Sequence, residues 1–362
     1  MILLTGGAGY IGSHTGVALA LAGIPYLVLD NFCNSRTGVL ARMGFLGGAS
    51  PVLVEGDVRD SVTLDAVFAR YPIQAVIHAA SLKAVGEGIE EPALYYDNNV
   101  AGTVTLLRAM QRAGLRRLVF SSSSTVYGNP SQTCLDENAP LAPLSPEART
   151  KVMVEQILTD VAASHPDWRI TSLRCFNPVG AHPSGLLGEA PRGQTLNLLT
   201  VMAQAAAGQR PPLSLFGNDY PTPDGTGVRD YIHVMDLAQG HLAALRQMLS
   251  PEVDGGSGQG AAIRADGPAA ASAAAAWPQR HQVLNLGRGQ GVSVLQLLQA
   301  FEQHTGQRVP YQVAPRRPGD AACWFADTRR AQHALGWQAE LGLAEMCTGA
   351  WRWQQRPAEP GL

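Results

Sequence analysis

Short apolar runs alternate with longer amphipathic stretches through the first half of the chain. The runs have the length and composition of buried strands, and they predict strands at 2–4, 26–29, 52–54, 75–77, 118–120 and 170–173. Apolar residues at helical spacing predict helices over 10–22 and 100–112, and a third that opens at Pro146. Apolar strands separated by helices are typical of a parallel sheet covered on both faces. The pattern therefore predicts an α/β protein with a doubly wound parallel sheet.

The distribution of turn residues changes after residue 176. Turn residues dominate 180–193 and 217–227, which indicates a smaller lobe inserted after the sheet strands. We therefore predict a sheet domain at 1–176 and a C-terminal lobe at 177–362, some segments of which return to the sheet. Residues 251–281 are mostly Gly, Ala, Ser and Pro. Such a stretch buries too little apolar surface to offset its ordering entropy, so it predicts a disordered insertion.

Composition excludes several classes of function. A net charge of −2 over 362 residues gives no basic field for nucleic acid or an anionic membrane surface. The five cysteines are scattered without metal-ligand spacing, so we expect no metal site and a reducing, cytoplasmic environment. No run of about 18 apolar residues and no secretory signal occur, so we expect no membrane span.

The strongest motif follows the first predicted strand, where Gly7, Gly9 and Gly12 fit G-x-G-x-x-G at the start of a helix. Glycines there permit a tight turn and a close approach to a pyrophosphate, which the helix N-terminus attracts. Asp30 ends the next strand, where a carboxylate binds ribose hydroxyls and repels a 2′-phosphate. The motif predicts a Rossmann sheet that binds NAD rather than NADP. The remaining turn residues in contact with the cofactor would be Gly6, Tyr10 and Ile11.

Residues after the third and fourth strands are weaker candidates. Asp57 could accept a hydrogen bond from the adenine amino group, or it could be an ordinary loop or cap residue. Small side chains follow the fourth strand and either admit the cofactor or simply allow tight packing; they are Ala79, Ala80 and Ser81. His78 and His233 are more typical of buried, hydrogen-bonded histidines than of catalytic bases.

Further distinctive blocks occur at 5–12, 30–31, 81–87, 95–100, 125–128, 176–181 and 227–234. Together these blocks resemble the UDP-glucose 4-epimerase family of extended short-chain dehydrogenases/reductases. They cover nearly the whole chain apart from 251–281. The resemblance implies a tightly held NAD, a UDP-glucose or UDP-galactose substrate and a homodimer. It also implies hydride transfer from sugar C4 to NAD and return to the other face of a 4-keto intermediate.

The resemblance assigns roles to individual positions. Ser123 is the hydroxyl donor, although it lies in a run of four serines, and Lys151 holds the nicotinamide ribose. Further cofactor contacts fall on Asn31, Asn34, Ser35, Val58, Lys83, Asn98 and Phe176. Substrate contacts fall on Asn177, Asn197, Leu198, Leu215, Phe216, Arg229, Arg317 and Asp320. Arginine suits a diphosphate because its guanidinium makes paired charge-assisted bonds. Taken alone, Arg229 is equally typical of an ion pair with Asp230, and Arg317 of a solvated turn.

One position departs from the family pattern. The family has a Tyr-x-x-x-Lys pair, but four residues before Lys151 this chain has Glu147, followed by Ala148 where the family has Gly. A phenol starts with a pKa of about 10, and a nearby cation brings it toward neutrality, whereas a Glu carboxyl starts at about 4.3. We expect Lys151 and the nicotinamide to hold Glu147 ionised, and its shorter side chain to reach less far. The expected cost in rate is about 10²-fold or more.

Two hypotheses follow from this departure. The first is an NAD-dependent UDP-glucose 4-epimerase whose chemistry is impaired by a natural or engineered change of base. The second is a non-catalytic protein that binds NAD and a UDP-sugar. A nucleotide-sugar 4,6-dehydratase is disfavoured, because Ser123 is followed by Ser124-Thr125-Val126 and not by the acidic pair of those enzymes. A plain dehydrogenase is also disfavoured, since nothing indicates an exchangeable cofactor.

Two finer expectations concern the sugar and the assembly. The family position that borders the sugar 2-substituent falls on Trp324, or on Cys323 if the alignment shifts by one. A bulky ring there leaves little room for an N-acetyl group, so we expect a preference for UDP-glucose and UDP-galactose. The helices over 100–112 and 151–164 have the length for the family's dimer contact, or their apolar faces belong to the core.

Overall fold

The computed structural model describes residues 1–193, 195, 197–250, 280–317 and 319–356. The strands are β1 Ile2–Thr5, β2 Tyr26–Asp30, β3 Val52–Glu55, β4 Ala75–His78, β5 Arg117–Ser123, β6 Cys134–Leu135, β7 Arg169–Cys175, β8 Asn177–Val179, β9 Leu213–Phe216, β10 Val228–Arg229, β11 Tyr231–His233, β12 His281–Leu286, β13 Val292–Ser293, β14 Tyr311–Ala314 and β15 Phe325–Ala326. The helices are α1 Tyr10–Leu21, α2 Gly38–Gly47, α3 Ser61–Arg70, α4 Val85–Glu90, α5 Pro92–Tyr95, α6 Gly102–Arg112, α7 Pro146–Ser164, α8 Leu198–Ala206, α9 Val234–Leu249, α10 Val294–Thr305, α11 Arg329–Leu335 and α12 Leu343–Gln354. A π-helical turn covers Tyr96–Ala101 and a 3₁₀ turn covers Ser124–Tyr127.

Seven parallel strands form the central sheet in the order β12-β7-β5-β4-β1-β2-β3. The chain moves outward from β1 in both directions, which confirms the predicted doubly wound α/β fold. Strands β1, β2 and β4 are buried along their whole length. Successive side chains enter opposite cores, as Leu3 and Leu4 do, because neighbouring residues of a strand point to opposite faces.

Two sequence predictions differ from the observed strands. The third strand was expected to be buried, yet Val52 and Leu53 are exposed, because β3 is the edge strand and has one neighbour. The predicted insertion at 251–281 lies outside the described residues except for Arg280 and His281. His281 begins β12 and pairs with Ile170. The predicted C-terminal end of the insertion, residue 281, is therefore at least one residue too late in the chain.

A further hydrophobic core lies beyond the two cores of the sheet. It is formed between α8, α10 and α12 by residues that include Met202, Phe301 and Met346. Two-stranded pairings join β9 with β14, β8 with β11 and β10 with β13. The domain boundary at 176 stays a prediction. Within the described ranges no helix is long and apolar enough to cross a membrane.

Candidate functional site

The glycine turn joins β1 to α1 at the carboxyl ends of the sheet strands. Gly6 has a φ of +69°, and a Cβ there would lie 2.5 Å from the Ala80 amide nitrogen. A Cβ on Gly12 would lie 2.1 Å from the Gly6 carbonyl oxygen. At Gly9 the one close atom would be that same oxygen, at 3.3 Å, and the rest of the space belongs to a cleft. The turn therefore leaves room for a pyrophosphate at Gly9, as the motif requires.

The cleft holds about 1300 Å³ of empty space, including its open mouth. It is lined by most of the predicted cofactor residues, namely Gly6, Gly9, Tyr10, Ile11, Gly12, Asp30, Asn31, Asn34, Ser35, Val58, Ala79, Ala80, Ser81, Lys83 and Asn98. Gly7, Asp57, Lys151 and Phe176 do not line it. Gly7 packs against the sheet instead, where a Cβ would lie 2.9 Å from the Val28 side chain.

Asp30 is buried, and nearby donors orient its carboxylate. Oδ2 accepts from the Ala8 amide at 2.9 Å, while Oδ1 accepts from the Phe32 amide at 2.9 Å and the Ser35 hydroxyl at 3.0 Å. A carboxylate has about four lone-pair sites, so Asp30 can still accept from a ribose hydroxyl. Its negative charge in the cleft disfavours a 2′-phosphate.

Asp57 is held in an ion pair rather than presented to the cleft. Arg59 donates to both of its carboxylate oxygens, at 2.9 and 2.8 Å, and Asn31 Nδ2 donates to Oδ2 at 2.8 Å. The hydrogen bonds from Arg59 lower the pKa of Asp57 to about 2. These contacts fit the alternative that Asp57 is an ordinary loop residue. Through its hydrogen bond, Asp57 also fixes the side chain of Asn31 beside the cleft.

The opposite wall of the cleft was missed by the sequence analysis. It is formed by residues 187–191 of the lobe and by Trp353 of α12. Trp353 Nε1 donates to the Glu189 carbonyl at 3.1 Å, and Arg192 Nε donates to the Ser35 carbonyl at 3.0 Å. These partners are 164 and 157 residues apart in the chain, so no local pattern could signal the contacts.

The second group of candidate residues lies where α7 begins beside the end of β5. Pro146 occupies the first turn of α7, as predicted, and the Ser145 hydroxyl caps the helix by accepting from the Ala148 amide at 3.2 Å. This start places Glu147 and Lys151 one turn apart on the same face of the helix. Both side chains are buried, with 2% and 6% of their surface exposed.

Hydrogen bonds connect these side chains to the end of β5. Thr125 Oγ1 lies 2.9 Å from Ser123 Oγ and 3.0 Å from Glu147 Oε2. Lys151 Nζ donates to the Ser121 carbonyl at 2.9 Å and lies over the Phe120 ring. The structure therefore brings together the three residues predicted to be catalytic, and Thr125, which the sequence analysis did not assign, lies between two of them.

Burial controls the ionisation of this cluster. Burial raises the pKa of Glu147, while Lys151, Thr125 and Lys83 lower it by less. Burial also lowers the pKa of Lys151, and Glu147 opposes that change. The loss of water around the Glu147 carboxylate therefore outweighs the ammonium one helical turn away, which places the pKa of Glu147 above its ordinary value. The expectation that Lys151 and the nicotinamide together hold Glu147 ionised stays a prediction.

Two asparagines connect the cleft to α7. Asn98 Nδ2 donates to Asn99 Oδ1 at 2.9 Å, and Asn99 Nδ2 donates to Thr150 Oγ1 at 3.0 Å. Asn99 also bonds both backbone polar groups of Leu82, a residue of the cleft. The dinucleotide cleft and the Glu147–Lys151 cluster are therefore neighbouring parts of one site.

An aromatic group follows β7. Phe176 is fully buried, with ring centroids 6.3 Å from Tyr127 and 5.5 Å from Trp324. The Arg229 guanidinium lies 5.6 Å from the centre of the Trp324 ring. Asn177 Nδ2 donates to the Asp230 carbonyl at 3.1 Å. The ring of Trp324 therefore packs in this group.

The predicted nucleotide contacts lie on the lobe, with Leu198 at the start of α8 and Leu215 and Phe216 on β9. The Arg317 guanidinium lies 3.9 Å from the centre of the Phe216 ring. Asn197 Nδ2 donates to the Pro178 carbonyl at 2.7 Å, while its buried Oδ1 has no partner within the described part of the chain. That oxygen can accept from a ligand.

Arg229 pairs with Asp320, not with its sequence neighbour Asp230. Asp230 instead accepts from the backbone amides of Arg288, Gly289 and Ala326. The ion pair considered from the sequence is therefore wrong, since the short side chain of Asp230 turns toward a different loop.

Both histidines considered from the sequence have hydrogen-bond partners. His78 bonds Thr5 Oγ1 at 2.7 Å and Thr103 Oγ1 at 2.9 Å, and burial lowers its pKa to about 3. His233 Nδ1 accepts from the Met235 amide at 3.0 Å and caps α9. These contacts fit the structural reading of both residues.

Comparison with known proteins agrees with this geometry. Residues 2–253 match the NAD dependent epimerase/dehydratase family. UDP-glucose 4-epimerases of Yersinia pestis and Bacillus subtilis are 49% and 48% identical, each over 98% of this chain and over 97% and 96% of their own length. The crystal structure of UDP-glucose-4-epimerase from Stenotrophomonas maltophila with bound NAD and formylated UDP-arabinopyranose is 46% identical, with a TM-score of 0.88 over 98% of this chain and 97% of that chain. The Bifidobacterium longum enzyme in complex with NAD+ and UDP is 42% identical, with a TM-score of 0.84 over the same shares. The chain therefore belongs to the UDP-glucose 4-epimerases of the NAD dependent epimerase/dehydratase family.

Proposed function

We propose that the chain interconverts UDP-glucose and UDP-galactose with NAD as its cofactor, and that Glu147 stands where the family has its catalytic Tyr. The observation that carries the proposal is the grouping of Ser123, Glu147 and Lys151 beside the dinucleotide cleft. Relatives that match nearly the whole chain, two of them solved with NAD, support the cofactor and the reaction. When bound, NAD accepts a hydride from sugar C4 and returns it, so the reaction needs no external oxidant.

Each residue of the site is assigned a role that its side-chain chemistry allows. Lys151 is held by the Ser121 carbonyl, where its ammonium can bond the nicotinamide ribose. The Ser123 hydroxyl accepts from the Thr125 amide and keeps a lone pair that can accept from the sugar 4-hydroxyl. Arg229 and Arg317 supply guanidinium donors to the diphosphate, and the fully buried Phe176 is the ring that the family pattern places at the nicotinamide.

Glu147 must accept the 4-hydroxyl proton and later give it back. A carboxylate whose pKa is raised by burial is a stronger base and is more often protonated than one on the surface, which favours both steps. It still lacks the phenol's higher pKa, so the rate falls below that of a Tyr-based site. Glu147 also favours a second function, in which the protein binds NAD and a UDP-sugar without turnover, because the Tyr base of the family is absent.

Conversion of UDP-galactose to UDP-glucose without added NAD tests the proposal, with Glu147→Gln as the matched variant. We expect slow turnover that Glu147→Gln reduces by about tenfold or more, which is less than the contribution of a well-matched base. The native rate should fall as pH falls through the raised pKa of Glu147, because only the ionised carboxylate accepts a proton. Absence of turnover in both proteins, with UDP binding retained, would establish the binding function instead.

Trp324 is proposed to select against N-acetylated sugars. Its ring is 7% exposed and fixed between Phe176 and Arg229. We expect Trp324→Ala to raise the rate with UDP-N-acetylglucosamine relative to UDP-glucose by about tenfold, since removal of the indole opens space beside the sugar. The ratio of kcat/KM values for the two substrates measures this effect. An unchanged ratio would show that the ring does not border the 2-substituent.

We further propose a cytoplasmic homodimer with a role in galactose metabolism. All five cysteines are free, which is compatible with a reducing compartment. Met153 on α7 is 44% exposed, and Ile89 and Leu94 on the neighbouring short helices are 64% and 40% exposed. These apolar side chains support a contact between two copies through α7 and the short helices beside it, and none of the three lies on α6.

A further inference from the structure

We propose that Thr125 relays the proton between Ser123 and Glu147, so that the base reaches the substrate through two hydroxyls rather than directly. The inference rests on the proposed function, and it assigns a positioning role to a residue outside the predicted site. It also accounts for how a side chain shorter than Tyr could serve the same sugar hydroxyl.

The hydrogen bonds around Thr125 have one consistent direction when Glu147 is ionised. A carboxylate only accepts, so the Thr125 proton points to Glu147 Oε2, 3.0 Å away. A threonine hydroxyl has a single proton, so the 2.9 Å contact with Ser123 Oγ must then be donated by Ser123. The Ser123 oxygen retains a lone pair to accept from a sugar hydroxyl. The three side chains thus form a continuous chain of donors toward Glu147.

No other group near Glu147 replaces Thr125 as a link to Ser123 in the described contacts. Lys151 donates to the Ser121 carbonyl, and no hydrogen bond joins Ser123 directly to Glu147 in the described contacts. Tyr95 is the phenol whose ionisation Glu147 affects, but its hydroxyl bonds the Ala84 carbonyl at 2.6 Å and Glu87 at 2.8 Å. Burial raises the pKa of Tyr95, which makes it a poor base. Lys83 also influences Glu147, but through its charge alone.

Each transfer moves one proton across one hydrogen bond. As the C4 hydrogen leaves with its electron pair to the nicotinamide, the O4 proton passes to Ser123. The Ser123 proton passes to Thr125, and the Thr125 proton passes to Glu147. The sugar becomes a 4-ketone, both hydroxyls are restored, and Glu147 becomes a neutral acid. Return of the hydride to the opposite face reverses the three transfers and leaves the carboxylate ionised.

Thr125→Val and Thr125→Ser test the relay in two backgrounds, the native chain and the Glu147→Tyr/Ala148→Gly variant. Valine keeps the shape of threonine without the hydroxyl, while serine keeps the hydroxyl. In the native background we expect Thr125→Val to lower kcat by about 10²-fold and Thr125→Ser to restore most of the rate. In the Tyr background the loss on Thr125→Val should be several-fold smaller, because a phenol reaches Ser123 without the relay. NAD content and melting temperature of each variant check that the fold is kept.

The outcomes separate the relay from the proposed function. Equal losses in both backgrounds would overturn the relay, while native turnover would leave the proposed function standing. No native turnover, with turnover in the Tyr background, would overturn both the relay and Glu147 as base. A larger loss in the native background with rescue by serine supports the relay, because a purely structural threonine affects both backgrounds alike.

Discussion

The double change Glu147→Tyr with Ala148→Gly is expected to raise the conversion of UDP-galactose to UDP-glucose by about 10²-fold or more. A phenol beside Lys151 has its pKa lowered toward neutrality and serves both as base and as acid. It also extends farther from α7 than a carboxyl. Ala148 is 1% exposed, so its replacement by Gly provides space for the ring. Initial rates for native and variant protein, normalised to bound NAD, measure the effect.

The control for this experiment is Glu147→Phe with Ala148→Gly, which restores the ring without the hydroxyl. Its rate should not exceed that of the native chain, since packing alone moves no proton. If the Tyr variant is no faster than the Phe variant, residue 147 is not the position of the family's base. A native chain that already turns over as fast as the Tyr variant would show instead that a buried carboxylate is sufficient.

The second large effect is expected from Gly12→Ala. The added Cβ would lie 2.1 Å from the Gly6 carbonyl oxygen and 2.8 Å from Gly7 Cα, and both of these atoms belong to the backbone of the turn. Relief requires the turn to open, which costs about 3 kcal/mol, the upper part of the usual range for overpacking. The same movement displaces the amides that face a pyrophosphate. We expect a lower melting temperature and a loss of NAD retention of about 10²-fold.

Gly86→Ala is the matched control. Gly86 lies in α4, and a Cβ there meets no atom within 4 Å. Alanine favours a helix over glycine, so this variant should keep its stability and its cofactor. NAD released on denaturation of the purified proteins, together with thermal melting, distinguishes the two variants. Normal NAD content in Gly12→Ala would show that the turn does not hold the dinucleotide.

The sequence predicted the central architecture because the governing forces are local. Apolar runs such as 26–29 and 75–77 favour buried strands by their composition alone, and Gly6 and Gly12 are needed by the turn itself. The exposed side chains of β3 were not predictable from the run at 52–54, since the position of a strand at a sheet edge depends on which strands pair. Strand β12 was not predicted, and the predicted insertion extended to residue 281, where β12 begins.

The sequence predicted which residues belong to the site better than it predicted the contacts between them. Ser123, Glu147 and Lys151 could be placed by the family pattern, but the rise in the Glu147 pKa depends on burial, which no motif encodes. Thr125 appeared in the sequence analysis only within the block 125–128 and was given no role. The pairing of Arg229 with Asp320 joins residues 91 apart in the chain, so the nearer Asp230 was the natural but wrong choice.

The cofactor cleft has one wall in the sheet domain and the other in the lobe, where residues 187–191 and Trp353 line it. A ligand that binds the folded state but not the unfolded state raises the free energy of unfolding by RT ln(1 + [L]/Kd). This is about 2.7 kcal/mol when the ligand concentration is a hundred times Kd. A dinucleotide that fills this cleft contacts both walls, so unfolding of either wall forfeits that free energy. We therefore expect cofactor binding to couple the unfolding of the sheet to that of residues 187–191 and Trp353.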